Sequence, residues 1–171
     1  MSFKTRFLTK TNLKRKTRYL LLIMALFVII LDQITKSLIK INFNLYEVKP
    51  FINGFWNWVL VYNKGAAFSL LANEQGSWAK IMFGFIAFIV SIWILSYLLN
   101  KSYSLISGIG LSFILGGALG NLIDRIIQGK VTDFIDWYYK SYHWPAFNIA
   151  DSFISVGVFI LIIDGLFFTK E

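Results

Sequence analysis

Four long apolar runs restrict this chain more than any other feature. They fall at about residues 19–39, 78–99, 103–123 and 152–168. At a rise of about 1.5 Å per residue, each is long enough for a helix to cross a hydrocarbon layer roughly 30 Å thick. In lipid, a segment must satisfy its own backbone hydrogen bonds, which favours helices over open strands. The expected fold class is an all-α polytopic membrane protein: four transmembrane helices with a small β-sheet on the extracytoplasmic membrane surface. A single membrane domain over residues 1–171 follows. The composition agrees: 57% of residues are hydrophobic and 18% aromatic, more apolar than soluble domains usually are.

Charge orients the bundle. Seven of the seventeen basic residues, Lys4, Arg6, Lys10, Lys14, Arg15, Lys16 and Arg18, lie in the first eighteen positions, with no acid among them. Such a segment resembles the start of a signal peptide, but the apolar run after it is too long and ends in no small-residue cleavage site. The reading is a retained cytoplasmic tail of residues 1–18, held inside by its charge. A nucleic-acid arm is the weaker alternative, and no nucleic-acid partner is expected. Four spans then make both termini cytoplasmic. The chain has no cysteine and one histidine, His143, so thiol chemistry and a Cys/His metal site are excluded.

Between the first two spans, residues 46–52 and 55–62 are rich in β-branched and aromatic side chains, with Asn53-Gly54 between them. That pair predicts a hairpin with a type I′ turn. Trp56 and Trp58 suit the headgroup layer. The following run Asn63-Lys64-Gly65-Ala66-Ala67-Phe68-Ser69 is small enough for backbone to face a ligand. Residues 124–151 form a second outer segment.

Polar residues in the spans carry the chemistry. Asp32 and Lys36 are one helical turn apart and able to pair. Gly108, Ser112, Gly116 and Gly120 recur at four-residue spacing, which lets a neighbouring helix approach closely. Gly117, Asn121 and Asp124 share a stripe, and Arg125 can reach back toward Asn121 or pair with Asp133. Asp164 reads as an interfacial carboxylate near Lys170. If the third and fourth spans are neighbours, Asp124 and Asp151 meet at the outer rim of the bilayer. Two carboxylates at close range share a proton. One is then a base for water and the other an acid for the leaving group. Asn121 and Asn148 each precede one of these aspartates by three positions, so each amide lies on the face of its own carboxylate.

Five blocks in order resemble those of the bacterial lipoprotein signal peptidases (signal peptidase II), which are membrane aspartic proteases. They are Asp32-Gln33-Ile34-Thr35-Lys36, Asn63-Lys64-Gly65-Ala66-Ala67-Phe68, residues 116–125, Val131-Thr132-Asp133-Phe134 and Phe147-Asn148-Ile149-Ala150-Asp151. Thr132 stands where many members carry a second valine. The resemblance implies that Asp124 and Asp151 are the catalytic pair, and that Asp32, Lys36, Asn63, Gly65, Asn121, Arg125 and Asn148 shape or support the site. It implies an aspartic endopeptidase that removes the signal peptide from diacylglyceryl-modified prolipoproteins, cutting just before the lipidated cysteine. No cofactor or metal is implied. The expected setting is a multi-pass monomer in the bacterial cytoplasmic (inner) membrane, in contact with membrane lipids, with its active site at the extracytoplasmic face. An ion-coupled transporter would need carboxylates at several depths, and Asp32, Asp124 and Asp151 all fall toward one face. A non-catalytic scaffold leaves the paired rim carboxylates unexplained.

Overall fold

The computed structural model describes residues 14–63 and 77–167, with side chains from residue 81 onward in the second part. Among the described residues, four helices are long and apolar enough to cross a membrane. They are α1 (Arg15–Asn42), α2 (Ser77–Asn100), α3 (Leu105–Gln128) and α4 (Ile149–Phe167). The strands are β1 (Val48–Ile52), β2 (Trp56–Asn63), β3 (Val131–Tyr139) and β4 (Tyr142–His143). The β1–β2 segment leaves the C-terminal end of α1 and precedes α2. The β3–β4 segment joins the C-terminal end of α3 to the start of α4. Both therefore lie at one end of the bundle.

Helix boundaries shift from the sequence expectation by up to about a turn, and two of the shifts move charged residues. α1 begins at Arg15, so Arg18 is part of the helix and not of a free tail. α3 runs about one turn past Asp124 and stops at Gly129, which takes the left-handed conformation (φ 68°) that closes a helix. Asp124 is therefore inside the last turn and not at the helix end.

The sheet has four antiparallel strands in the order β1-β2-β3-β4. The predicted hairpin is present, but its turn is not type I′. Only Gly54 has a positive φ, 82°, and Phe55 N–H donates to Ile52 O at 3.1 Å. A type I′ turn needs positive φ at both central residues; one at the second position is the type II pattern. β3 goes beyond the sequence reading, which places no strand after residue 124. Val131, Ile135, Trp137 and the neighbouring aromatics favour a strand, while Asp133 and Asp136 interrupt the apolar signal.

α3 is the most buried helix and packs against the other three. Its small residues are the reason. A Cβ at Gly116 would stand 2.6 Å from Ala25 O and 2.7 Å from Val28 Cβ, and one at Gly120 would stand 2.7 Å from Asp32 Oδ2. Gly108 faces Leu21 of the same helix. The expected glycine series is thus the seam for α1. Gly110 and Gly117 face Gly157 and Ala150 of α4 instead. The apolar core of Leu21, Ala25, Ile94, Leu98, Tyr103, Leu111 and Leu115 lies between α1, α2 and α3.

The end away from the sheet is closed by polar clamps. Buried Arg18 donates to Leu98 O (2.9 Å) and Lys101 O (2.8 Å), carbonyls at the end of α2, while Tyr103 Oη donates to Leu98 O (2.6 Å). Asp164 of α4 is buried and accepts from Ser104 Oγ at 2.7 Å and from Ser107 Oγ. A carboxylate there complements the positive end of the α3 dipole. Asp164 is therefore a helix-terminus acceptor and not an exposed interfacial charge; Lys170, its expected neighbour, lies outside the described residues.

The packing predicts a contrast between glycines. Gly116→Ala should lower stability by about 1–3 kcal/mol through overpacking. Gly165→Ala, where an added Cβ meets nothing within 4 Å, should lower it not at all. Thermal unfolding in detergent measures both, and equal melting temperatures would contradict the α1–α3 seam.

Candidate active site

One turn of α1 supplies the base of a polar network. Helical periodicity brings Asp32, Gln33 and Lys36 to the side facing α3. Lys36 is wholly buried, and its Nζ lies 2.8 Å from Asp32 Oδ2, 3.3 Å from Asp124 Oδ2 and 2.9 Å from Asn121 Oδ1. Gln33 Nε2 donates to Gly120 O (3.0 Å), Asp32 Oδ2 (3.1 Å) and Asp124 Oδ1 (3.3 Å). The other Asp32 oxygen accepts from Ala150 N–H at 3.0 Å. One carboxylate of α1 thereby holds the first turn of α4.

α3 contributes Asn121, Asp124 and Arg125. Asp124 is 2% exposed, and its Oδ2 also accepts from Thr132 N–H at 2.9 Å. Both of its oxygens are thus occupied by Lys36, Gln33 and the backbone of β3. Asn121 Nδ2 donates to Asp151 Oδ1 at 2.8 Å. Arg125 donates to Asn121 O at 3.2 Å, within its own helix. Among the described residues no carboxylate lies within 4.0 Å of it, so the direct pairing with Asp133 does not form; Asp124, Asp133 and Asp151 act on it from longer range.

β3 and the start of α4 complete the network. Asn148 and Asp151 form a reciprocal cap: Asp151 N–H donates to Asn148 Oδ1 (2.9 Å) and Asn148 N–H to Asp151 Oδ2 (3.3 Å). The Asn148 amide also donates to Asp133 Oδ1 (2.6 Å), Asn121 Oδ1 (3.1 Å) and Thr132 O (3.3 Å). Asn148 thus touches Asp133 and Asp151 at once. Asn63, at the end of β2 opposite Val131, hydrogen-bonds the Asp133 side chain. Burial pushes the Asp133 carboxyl up to about 7, and the nearby charge of Asp151 pushes the same way, against the hydrogen bonds from Asn148 and Asn63 and the more distant Lys36. Asp151 is only partly buried and lines a cavity of about 320 Å³ with Trp137, Trp144, Phe147, Ser152, Ser155 and Val156.

The site residues expected from sequence are therefore gathered at one end: Asp32, Lys36, Asn63, Asn121, Asp124, Arg125, Asn148 and Asp151. Gly65 lies outside the described residues. Asp124 and Asp151 share this network through Lys36 and Asn121, whereas Asp133 is linked to the Asp151 carboxylate through a single residue, Asn148, by its side-chain amide on one side and its backbone N–H on the other. Sequence spacing alone does not single out Asp133 or Gln33 for the site, although each stands inside one of the five blocks. Among the described residues, no group of three or more His, Asp or Glu side chains is arranged to hold a metal.

Comparison with known proteins agrees with this architecture. The family model described as signal peptidase (SPase) II matches residues 24–167. The lipoprotein signal peptidase of Chromobacterium violaceum is 44% identical over 144 residues, covering 84% of this chain and 88% of that one. That of Neisseria meningitidis serogroup C is 42% identical over 161 residues, covering 94% and 96%. A solved bacterial membrane enzyme superposes with a TM-score of 0.78 at 33% identity, covering 95% of this chain and 97% of the other. With family model, relatives and fold matching along nearly the whole length, this multi-pass membrane protein belongs to the signal peptidase II family of peptidases.

Proposed function

We propose that this chain is a membrane aspartic endopeptidase that removes signal peptides from diacylglyceryl-modified prolipoproteins, cleaving just before the lipidated cysteine, with Asp133 and Asp151 as its working pair. The observation that carries this reading is the Asn148 bridge between two carboxylates, one of which, Asp133, is pushed up to about 7. A pair that repels holds one proton between its members. The relatives' name, lipoprotein signal peptidase, and the family support the substrate class; a lipid anchor would hold the scissile bond near the bundle end that carries the pair, removing much of the entropic cost of the encounter.

This departs from the Asp124–Asp151 pairing drawn from sequence. Asp124 has both oxygens committed to Lys36, Gln33 and Thr132 N–H, which suits a residue that builds the site. In the proposed reaction, Asp133 starts protonated and Asp151 ionised. Water attacks the scissile carbonyl carbon and gives a proton to Asp151, while Asp133 protonates the carbonyl oxygen. The tetrahedral species then collapses: its hydroxyl proton returns to Asp133, the C–N bond breaks, and Asp151 passes its proton to the departing cysteine nitrogen. Asn121 and Asn148 hold Asp151 in place, and Asn63 holds Asp133. The proposed working unit is a monomer in the inner membrane, with both termini cytoplasmic and the sheet end extracytoplasmic. The decisive experiment is release of signal peptide from a purified lipidated precursor in detergent.

Single Asp133→Asn and Asp151→Asn variants should each lower turnover by about four to six orders of magnitude, and the double variant little further, since residues acting as a unit are not additive. Asp124→Asn should lose less turnover than Asp133→Asn and melt at a lower temperature. A folded Asp133→Asn enzyme working near the parental rate would sink the assignment.

The pH dependence follows from Asp133. Its folded-state carboxyl is raised from 3.8 to about 7. Its stabilising contribution is therefore complete below about 4 and is lost as pH rises to about 7. Thermal melting of the parent should fall across that window relative to Asp133→Asn. Turnover should decline above about 7 as the proton leaves; a rate flat from pH 6 to 9 would count against the pair.

Reporter fusions after Ser2 and at Glu171 should score cytoplasmic, and one inserted at Lys140 external. Opposite sides for the two termini would remove the four-span topology.

A further inference from the structure

Asn121 faces two ways, and its orientation is not free. Its Oδ1 accepts from Lys36 Nζ at 2.9 Å and from Asn148 Nδ2 at 3.1 Å, which leaves Nδ2 for Asp151 Oδ1 at 2.8 Å. Turned over, the amide would set its oxygen against a carboxylate and its N–H₂ against an ammonium. Lys36 is itself pinned, wholly buried between Asp32 and Asp124. A buried ammonium has no conformational reason to be there and is costly unless it is used.

We infer that Lys36 is a positioning residue for the reaction: its ammonium, fixed by Asp32 and Asp124, locks the Asn121 amide with its N–H₂ toward Asp151 and so aims that carboxylate. The inference rests on the Asp133–Asp151 reading but is separable from it, because the coupling between positions 36 and 121 can be measured whichever aspartate is the base. Lys36 never touches the substrate, and its effect passes through one amide. Loss of Lys36 should therefore lower kcat with little change in KM.

The test is a double-mutant cycle on turnover of a lipidated precursor by the full chain in detergent. Lys36→Met is made together with Asp32→Asn, so that the cluster of Asp32, Lys36 and Asp124 keeps its net single negative charge. Asp32→Asn alone is carried as a control for the carboxylate. Asn121→Ala and the Asp32→Asn/Lys36→Met pair are each expected to cost about 30- to 300-fold in kcat, with KM within threefold. Combined, they should cost no more than threefold beyond Asn121→Ala alone. Losses that multiply would overturn the proposal, as would a folded Asp32→Asn/Lys36→Met enzyme within threefold of the parent or one no slower than Asp32→Asn alone. Should the Asp32→Asn/Lys36→Met protein fail to fold, Asn121→Asp decides. It keeps an oxygen for Lys36 but replaces the donor to Asp151 with an acceptor. It should fold and lose at least 100-fold in kcat; an Asn121→Asp enzyme within threefold of the parent would overturn the proposal.

Discussion

An ammonium taken out of water at the end of an apolar bundle costs several kcal/mol unless charge and hydrogen bonds replace its hydration. Lys36 meets that cost with two carboxylates and one amide. The arrangement reaches far. Asp32 can stand beside Lys36 only because Gly120 leaves room for its carboxylate. Asp124 must turn toward α1, which leaves its other contacts to tie down the first residues of β3. Asn121 receives the third N–H of the ammonium. The close α1–α3 seam, the start of β3 and the first turn of α4 thus all answer to one cation.

The helical part of this design was legible in sequence because lipid permits so little else. Four apolar runs gave the spans, and the glycines at 108, 116 and 120 gave the face on which α1 lies. Charged residues inside the runs pointed to the end of the bundle where the polar network gathers. Two things were not legible. β3 carries aspartates at 133 and 136 that break its apolar pattern, so its strand character shows only once it pairs with β2. The commitment of Asp124 to Lys36 depends on two helices meeting, and no spacing along one helix reveals a partner on another. From spacing alone, the helix-borne Asp124 looked equivalent to Asp151. Buried strand-borne Asp133, raised to about 7, is distinguished from it by environment rather than by sequence position.

The opposite end of the bundle solves a different problem with similar means. Helix termini leave carbonyls and N–H groups without partners. Arg18 and Tyr103 satisfy carbonyls at and just past the end of α2, and Ser104, itself held by Asp164, accepts from Ser107 N–H in the first turn of α3. The polar groups there serve chain reversal between spans. Those at the sheet end hold carboxylates of uneven character in register. The same residue types therefore have unlike meanings at the two ends, and burial alone does not separate them.

Asn148 gathers two duties in one planar amide. Its oxygen starts α4 by accepting from Asp151 N–H, and its nitrogen serves Asp133 across the gap to the strand. Aspartate offers no donor, serine has no second arm, and glutamine displaces both atoms by a methylene. Aspartate or serine here would still accept from Asp151 N–H and start the helix, but neither would reproduce the donor that Asn148 aims at Asp133. Change at this position would therefore spare the fold and register at one carboxylate alone, whereas Trp137, Trp144 and Phe147, which line the cavity beside Asp151, carry no such double duty.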